Sequence, residues 1–179
     1  MQKKSISNEY VRMSRLDRFI KRMQAQRALL DQVCHDLNAG NAQAGPFIEL
    51  GLGNARTYDH VRERLINRRI VVFDRSAAPK HGVIPPAADF YVGDIRDTVR
   101  DYVEAIGSTA AVVHADLGDG SAAYNADIQS WLPDACCQLL QSGGLVVSST
   151  PLHDARLRQI NGPPDAEAGG YTCYCLHTR

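Results

Sequence analysis

The run PFIELGLGNAR, from Pro46 to Arg56, leaves few folds open to this chain. A short apolar stretch carrying one acid, Glu49, breaks at Gly51-Leu52-Gly53 and passes into a charged stretch of helical period. RIVVFDR, residues 69–75, is a second apolar run with Asp74 at its end. Two parallel strands, a glycine turn between strand and helix, and a carboxylate at the second strand tip form a nucleoside-binding layout. The glycines let a ligand approach bare backbone. The carboxylate is placed to accept hydrogen bonds from two ribose hydroxyls.

The rest of the chain repeats the alternation. Residues 9–38 read as one amphipathic helix, with Leu16, Ile20, Met23, Leu30, Cys34 and Leu37 at three-to-four spacing. Strands are expected at 47–50, 70–73, 90–92, 110–115, 144–149 and 171–177, and helices at 57–67 and 97–106. Residues 121–140 read as mostly helical, with Pro133 opening a second helical piece. The Pro-rich stretch 77–88 and residues 159–170 read as loops. Runs such as IVVF, AAVV and LVVS suit strands covered on both faces. The expectation is an α/β fold, doubly wound around a mainly parallel sheet, closed by one C-terminal antiparallel strand. Within a single domain over 1–179, residues 1–40 form a helical cap and 45–179 the α/β core.

With 179 residues and no net formal charge, the chain has one ordinary core and no global field for nucleic acid or membrane. The first thirty residues carry eight Lys/Arg against two Asp/Glu, a solvated face or an oligomer contact. The apolar stripe of this helix points to a homodimer. Five cysteines, an odd number without CxxC spacing, argue for a reduced, cytoplasmic protein and against zinc. Cys173 and Cys175 read as apolar fillers on one face of a strand. No apolar run reaches the roughly 20 residues that span a bilayer.

Parallel sheets bind ligands at the carboxyl ends of their strands. There the sequence places Glu49, Gly51, Gly53 and Asn54, then Asp74 and Arg75, then Asp94 and Ile95, then His114 to Asp119. These tips are acidic, with few cations among them, which suits a ligand bearing cations and hydroxyls better than a pyrophosphate. Arg56 stands where a dinucleotide fingerprint needs its third glycine. Asp94 and Asp116 each have a second reading as helix N-caps. Asp116 and Asp119, three apart, are not a metal signature, and no metal is expected.

These residues resemble the class I S-adenosylmethionine-dependent methyltransferases, of the small single-domain bacterial type. Glu49-Leu-Gly-Leu-Gly-Asn-Ala matches the first motif of that family, an acid followed by x-G-x-G-x-G, except that Ala55 replaces the last glycine. Asp74 matches the acid ending the second strand, Gly93-Asp94-Ile95 the third motif, and Asp116 the position after the fourth strand. Leu140–Val147, LQSGGLVV, resembles the turn into the fifth strand. The resemblance implies a Rossmann-like fold with S-adenosyl-L-methionine as cofactor. Gly51 and Gly53 would pass under its methionine part. Asp74 would hold the ribose, with Arg75 beside the adenine. Asp94 would accept from the adenine amino group, and Ile95 would pack on the ring. Asp116 would lie near the methionine amine or the substrate.

Methyl transfer needs alignment and exclusion of water, and an oxygen nucleophile also needs a base. Asp116, Asp119 and His114 are the candidates. After the fourth strand stands ADLGDG, not the [DN]-P-P-[YFW] string of amino-directed members nor a Pro-Cys nucleophile. A small-molecule acceptor is the default. The other readings are a nicotinamide-dependent oxidoreductase, which Arg56 and Glu49 disfavour, and a non-catalytic cofactor-binding or oligomeric module on the same fold.

Overall fold

The computed structural model describes residues 13–76, 83–118, 121–164, 166 and 169–177. Ser14 starts the first helix, α1 (Arg15–Ala39), because its hydroxyl accepts the otherwise orphaned Asp17 N–H at 3.0 Å. The helix therefore begins later than residue 9; residues 9–12 lie outside the described set. Gly40, left-handed at φ 74°, ends it.

The parallel strands are β1 (Phe47–Leu50), β2 (Ile70–Asp74), β3 (Phe90–Val92), β4 (Ala110–Ala115) and β5 (Leu140–Ser148). Two more follow, β6 (Leu157–Ile160) and β7 (Thr172–Leu176). The sheet order is β3-β2-β1-β4-β5-β7-β6, with β7 antiparallel to both neighbours. The doubly wound sheet and its antiparallel C-terminal strand agree with the sequence reading. After residue 149 the sequence leaves room only for a short, poorly marked second strand, and β6 is such a strand, taking the first residues of the stretch read as loop. It is an edge strand, and its central Arg158 and Gln159 are exposed, so no apolar alternation marks it.

The helices α2 (Arg56–Arg64), α3 (Ile95–Ile106) and α4 (Ala122–Leu139) complete the layers. On one face, Ile48, Val71, Phe73 and Val113 pack with α3 and α4; on the other, Phe47, Val72, Val112 and Val147 pack with α1 and α2. The expected break at Pro133 is absent. α4 runs through it, with Leu132, Pro133 and Cys136 buried, so packing outweighs the roughly 3 kcal/mol a helix-interior proline costs.

α1 runs opposite to the strands. Its far end meets the chain just before β2, where Arg68 donates to Leu37 O at 3.2 Å. Its near end overhangs the carboxyl edge. Leu29, Leu30, Val33, Cys34 and Leu37 are buried, whereas Leu16 and Ile20 are 65% and 44% exposed. The apolar stripe thus splits: its second half packs on the sheet and its first half extends past the edge.

Ala55, the N-cap of α2, is the only described non-glycine residue with positive φ, 59°. The turn still requires the left-handed geometry a glycine would give it, so the substitution costs backbone strain. That geometry costs about 1–2 kcal/mol for an L residue, and glycine returns about 0.4–1 in unfolded-state freedom. Glycine also gives up the buried Ala55 methyl, about 0.8 kcal/mol, so Ala55→Gly is expected to leave stability within about 1 kcal/mol of the parent in urea denaturation. A loss well above about 1 kcal/mol would refute this account of the turn.

Candidate active site

At the centre of the sheet, β1 and β4 are aligned so that Glu49 faces His114 in register. Both are buried, at 1% and 0% exposure. His114 Nδ1 donates to Glu49 Oε2 at 2.9 Å, and the Thr57 hydroxyl at the start of α2 donates to Glu49 Oε1. Burial pulls the His114 pKa down, but the charges of Glu49 and Asp116 outweigh it and the net direction is up. This pair forms the floor under the strand tips and does not line the cleft above it.

The glycine turn rises from that floor. Gly51 holds the left-handed φ of 88°, which favours glycine, and a Cβ there would also press on the Leu117 side chain at 2.6 Å. At Gly53, φ 50°, a Cβ would meet nothing within 4 Å, and the backbone faces open space. Asp74 at the tip of β2 braces this turn. Its Oδ2 accepts from Leu52 N at 2.6 Å and Gly53 N at 3.1 Å, and its Oδ1 from Ser76 N at 2.9 Å.

Above these atoms lies a cleft of about 760 Å³, roofed by the near end of α1. It brings together Gly51, Gly53, Asn54, Asp74, Arg75 and Asp116 of the expected set. Its volume lies within the roughly 300–1,000 Å³ of small-molecule sites. Asp94 and Ile95 instead line an adjoining recess of about 40 Å³, which shares Arg75, Leu117 and Tyr124 with the cleft. Arg75 divides the two, its guanidinium 5.8 Å from the centre of the Tyr124 ring. Asp94 is a helix cap, accepting Arg96 N at 2.9 Å. Hydrogen bonds from the Arg96 side chain and backbone hold its carboxyl below the usual range. Asp119 lies outside the described residues.

Asp116 caps no helix. Arg22 of α1 lies 2.5 Å from its Oδ1, while Tyr171 Oη at 2.8 Å and Gln26 Nε2 at 3.1 Å donate to its Oδ2. Burial pushes the Asp116 pKa up, but hydrogen bonds from Ser149 and Tyr171 and the charge of Arg22 bring it below the ordinary value. A carboxylate so occupied holds its partners and is a poor proton acceptor. Sequence reasoning missed Arg22, Gln26, Thr57 and Tyr171. One signal was available: Gln26 is a polar residue on the buried face of α1, one turn after Arg22.

A seven-stranded sheet in this order, with a glycine turn and an acidic second tip at its ligand-binding edge, defines a nucleoside-cofactor enzyme class. Residues 13–176 match the family described as S-adenosyl-L-methionine methyltransferase, and the chain belongs to it. The crystal structure of an S-adenosyl-L-methionine methyl transferase from Silicibacter pomeroyi DSS-3 is 37% identical, with a TM-score of 0.81 over 92% of this chain and 99% of that one. Two more distant structures share the fold. An O-methyltransferase family protein from Burkholderia thailandensis is 14% identical, with a TM-score of 0.50 over 90% of this chain and 60% of that one. An aminoglycoside resistance methyltransferase is 14% identical, with a TM-score of 0.50 over 84% and 93%. No curated protein matches the chain. It is an S-adenosyl-L-methionine-dependent methyltransferase.

Proposed function

We propose that the cleft under α1 binds S-adenosyl-L-methionine and passes its methyl group to a small-molecule acceptor. The observation that carries this reading is Asp74, an acceptor-only carboxylate at the second strand tip, beside a glycine turn whose Gly53 faces open space. The residues fit the cofactor. The Gly51–Asn54 backbone offers a surface for the methionine part. Asp74 keeps acceptor capacity for ribose hydroxyls, since a carboxylate has about four lone-pair sites. Ile95 N–H, the first amide of α3, has no intrahelical acceptor and is available to an adenine ring nitrogen. Asp94 would take the adenine amino group only where Arg96 yields an oxygen. Glu49 acts from beneath, holding Thr57 and His114.

When bound, the cofactor supplies a methyl group on a positively charged sulfur that an acceptor lone pair displaces. The protein's contribution is alignment and dryness. Arg22 and Gln26 tie α1 to Asp116 and so roof the reacting region. His114 is fully buried against Glu49, and both Asp116 oxygens are engaged, which leaves Asp119 as the carboxylate candidate for a base.

Residues 1–179 form one methyltransferase unit in this reading, with α1 as its cap. Met13, Leu16, Phe19 and Ile20, 44–65% exposed on and just before α1, support a homodimer through that helix. No described helix is long and apolar enough to cross a membrane. Five unpaired cysteines support a cytoplasmic setting. Calorimetry with S-adenosylhomocysteine and methyl transfer from labelled cofactor to a panel of small acceptors test the reading, with light scattering of the same sample for the dimer. Absence of any S-adenosylhomocysteine binding sinks the function, and a monomer sinks the dimer.

A further inference from the structure

Four guanidiniums, those of Arg22, Arg27, Arg56 and Arg75, line the cleft against two carboxylates, Asp74 and Asp116. This corrects the expectation of an acidic site short of cations: the strand tips are acidic, but α1 and α2 bring arginines that no strand-tip pattern reveals. Two of the four are already engaged. Arg22 is paired with Asp116, and Arg75 stacks on Tyr124. Arg27 of α1 and Arg56 of α2 are exposed and make no ion pair among the described residues. The acid one turn after Arg27, Asp31, is held by His60 at 2.9 Å and Arg64 at 2.6 Å. Two helices thus present two uncompensated guanidiniums to one concave site.

The cofactor does not remove this excess. Its sulfonium and ammonium outnumber its single carboxylate, so the loaded cleft is more positive than the empty one. Guanidinium forks match carboxylate and phosphate oxygens in geometry as well as charge. Resting on the methyltransferase reading, we infer that the methyl acceptor is a small anion, bearing a carboxylate or phosphate, held by Arg27 and Arg56 at the cleft mouth between α1 and α2. Both arginines line one concave cleft, which suits a small molecule better than a nucleic-acid backbone.

The test uses the full chain saturated with S-adenosylhomocysteine, so that the cofactor's own carboxylate site is filled. Inorganic phosphate and benzoate are titrated by NMR, with neutral benzamide as the control. Both anions should bind and benzamide should not. In the Arg27→Gln, Arg56→Gln double variant, anion affinity should fall about tenfold or more, with S-adenosylhomocysteine affinity within about threefold of the parent. The same phosphate affinity in parent and variant overturns the inference. So does a tenfold or larger loss of S-adenosylhomocysteine affinity, which would assign these arginines to the cofactor's carboxylate. Micromolar binding of a short RNA, lost in the double variant, would assign them to nucleic acid and likewise overturn it. Circular dichroism checks that the double variant folds; if it does not, the two single variants carry the same comparison. If S-adenosylhomocysteine fails to bind the parent, the methyltransferase reading itself falls, and phosphate titrated into the unloaded chain still reports on the two arginines.

Discussion

Asp74→Ala should abolish measurable cofactor binding, lowering S-adenosylhomocysteine affinity by about a hundredfold or more. Two effects combine. Hydrogen bonds to a charged group contribute about 1.5–3 kcal/mol each, and two ribose hydroxyls would lose their acceptor, about 3–6 kcal/mol in all. The glycine turn would also lose its brace, because the Leu52 and Gly53 amides now donate to this carboxylate. Asp74→Asn keeps one acceptor oxygen and should fall between parent and alanine. Calorimetry separates these outcomes. Parent-like affinity in the alanine variant would remove Asp74 from the site and leave the turn without its proposed ligand.

Glu49→Ala should cost about 3–5 kcal/mol, the usual price of leaving one member of a buried pair alone, against a total of about 5–15 kcal/mol for a folded domain. The deficit has a pH signature. The folded-state pKa of His114 is raised above its ordinary 6.5. The stabilisation from its protonated form is complete below that value and is lost as pH rises through the folded one. The gap between parent and variant in urea denaturation should therefore be widest in mild acid and shrink in alkali, where His114 becomes neutral in both. A gap that widens with pH would mean that the pair is not ionic in the folded chain.

Much of the fold was legible because two periodicities and a few glycines specify it. The ends of β1 and β4 fell where the apolar runs end, since a strand covered on both faces has no other reason to stop being apolar. β6 was not legible: an edge strand needs neither alternation nor a run. The acidic tips of the site were legible, because strand ends and turns sit side by side in parallel sheets. Arg22, Gln26 and Tyr171 were not, since they reach Asp116 across 94, 90 and 55 residues of chain. Only the docking of α1 and the approach of β7 create that contact. Asp94 shows the converse limit, one residue that fits both a helix cap and a ligand acceptor, with the cap directly visible in the fold.

The in-register pairing of Glu49 with His114 also bears on how the sheet finds its alignment. Apart from Glu49 and His114, β1 (FIEL) and β4 (AAVVHA) are apolar and buried throughout, so apolar packing alone discriminates weakly between their neighbouring alignments. A one-residue slip turns a side chain to the opposite face. Here it would set Glu49 against Val113 or Ala115 and strand two ionisable groups in hydrocarbon, a penalty of several kcal/mol. The two central strands carry, in a single polar couple, a key that admits one alignment and rejects its neighbours.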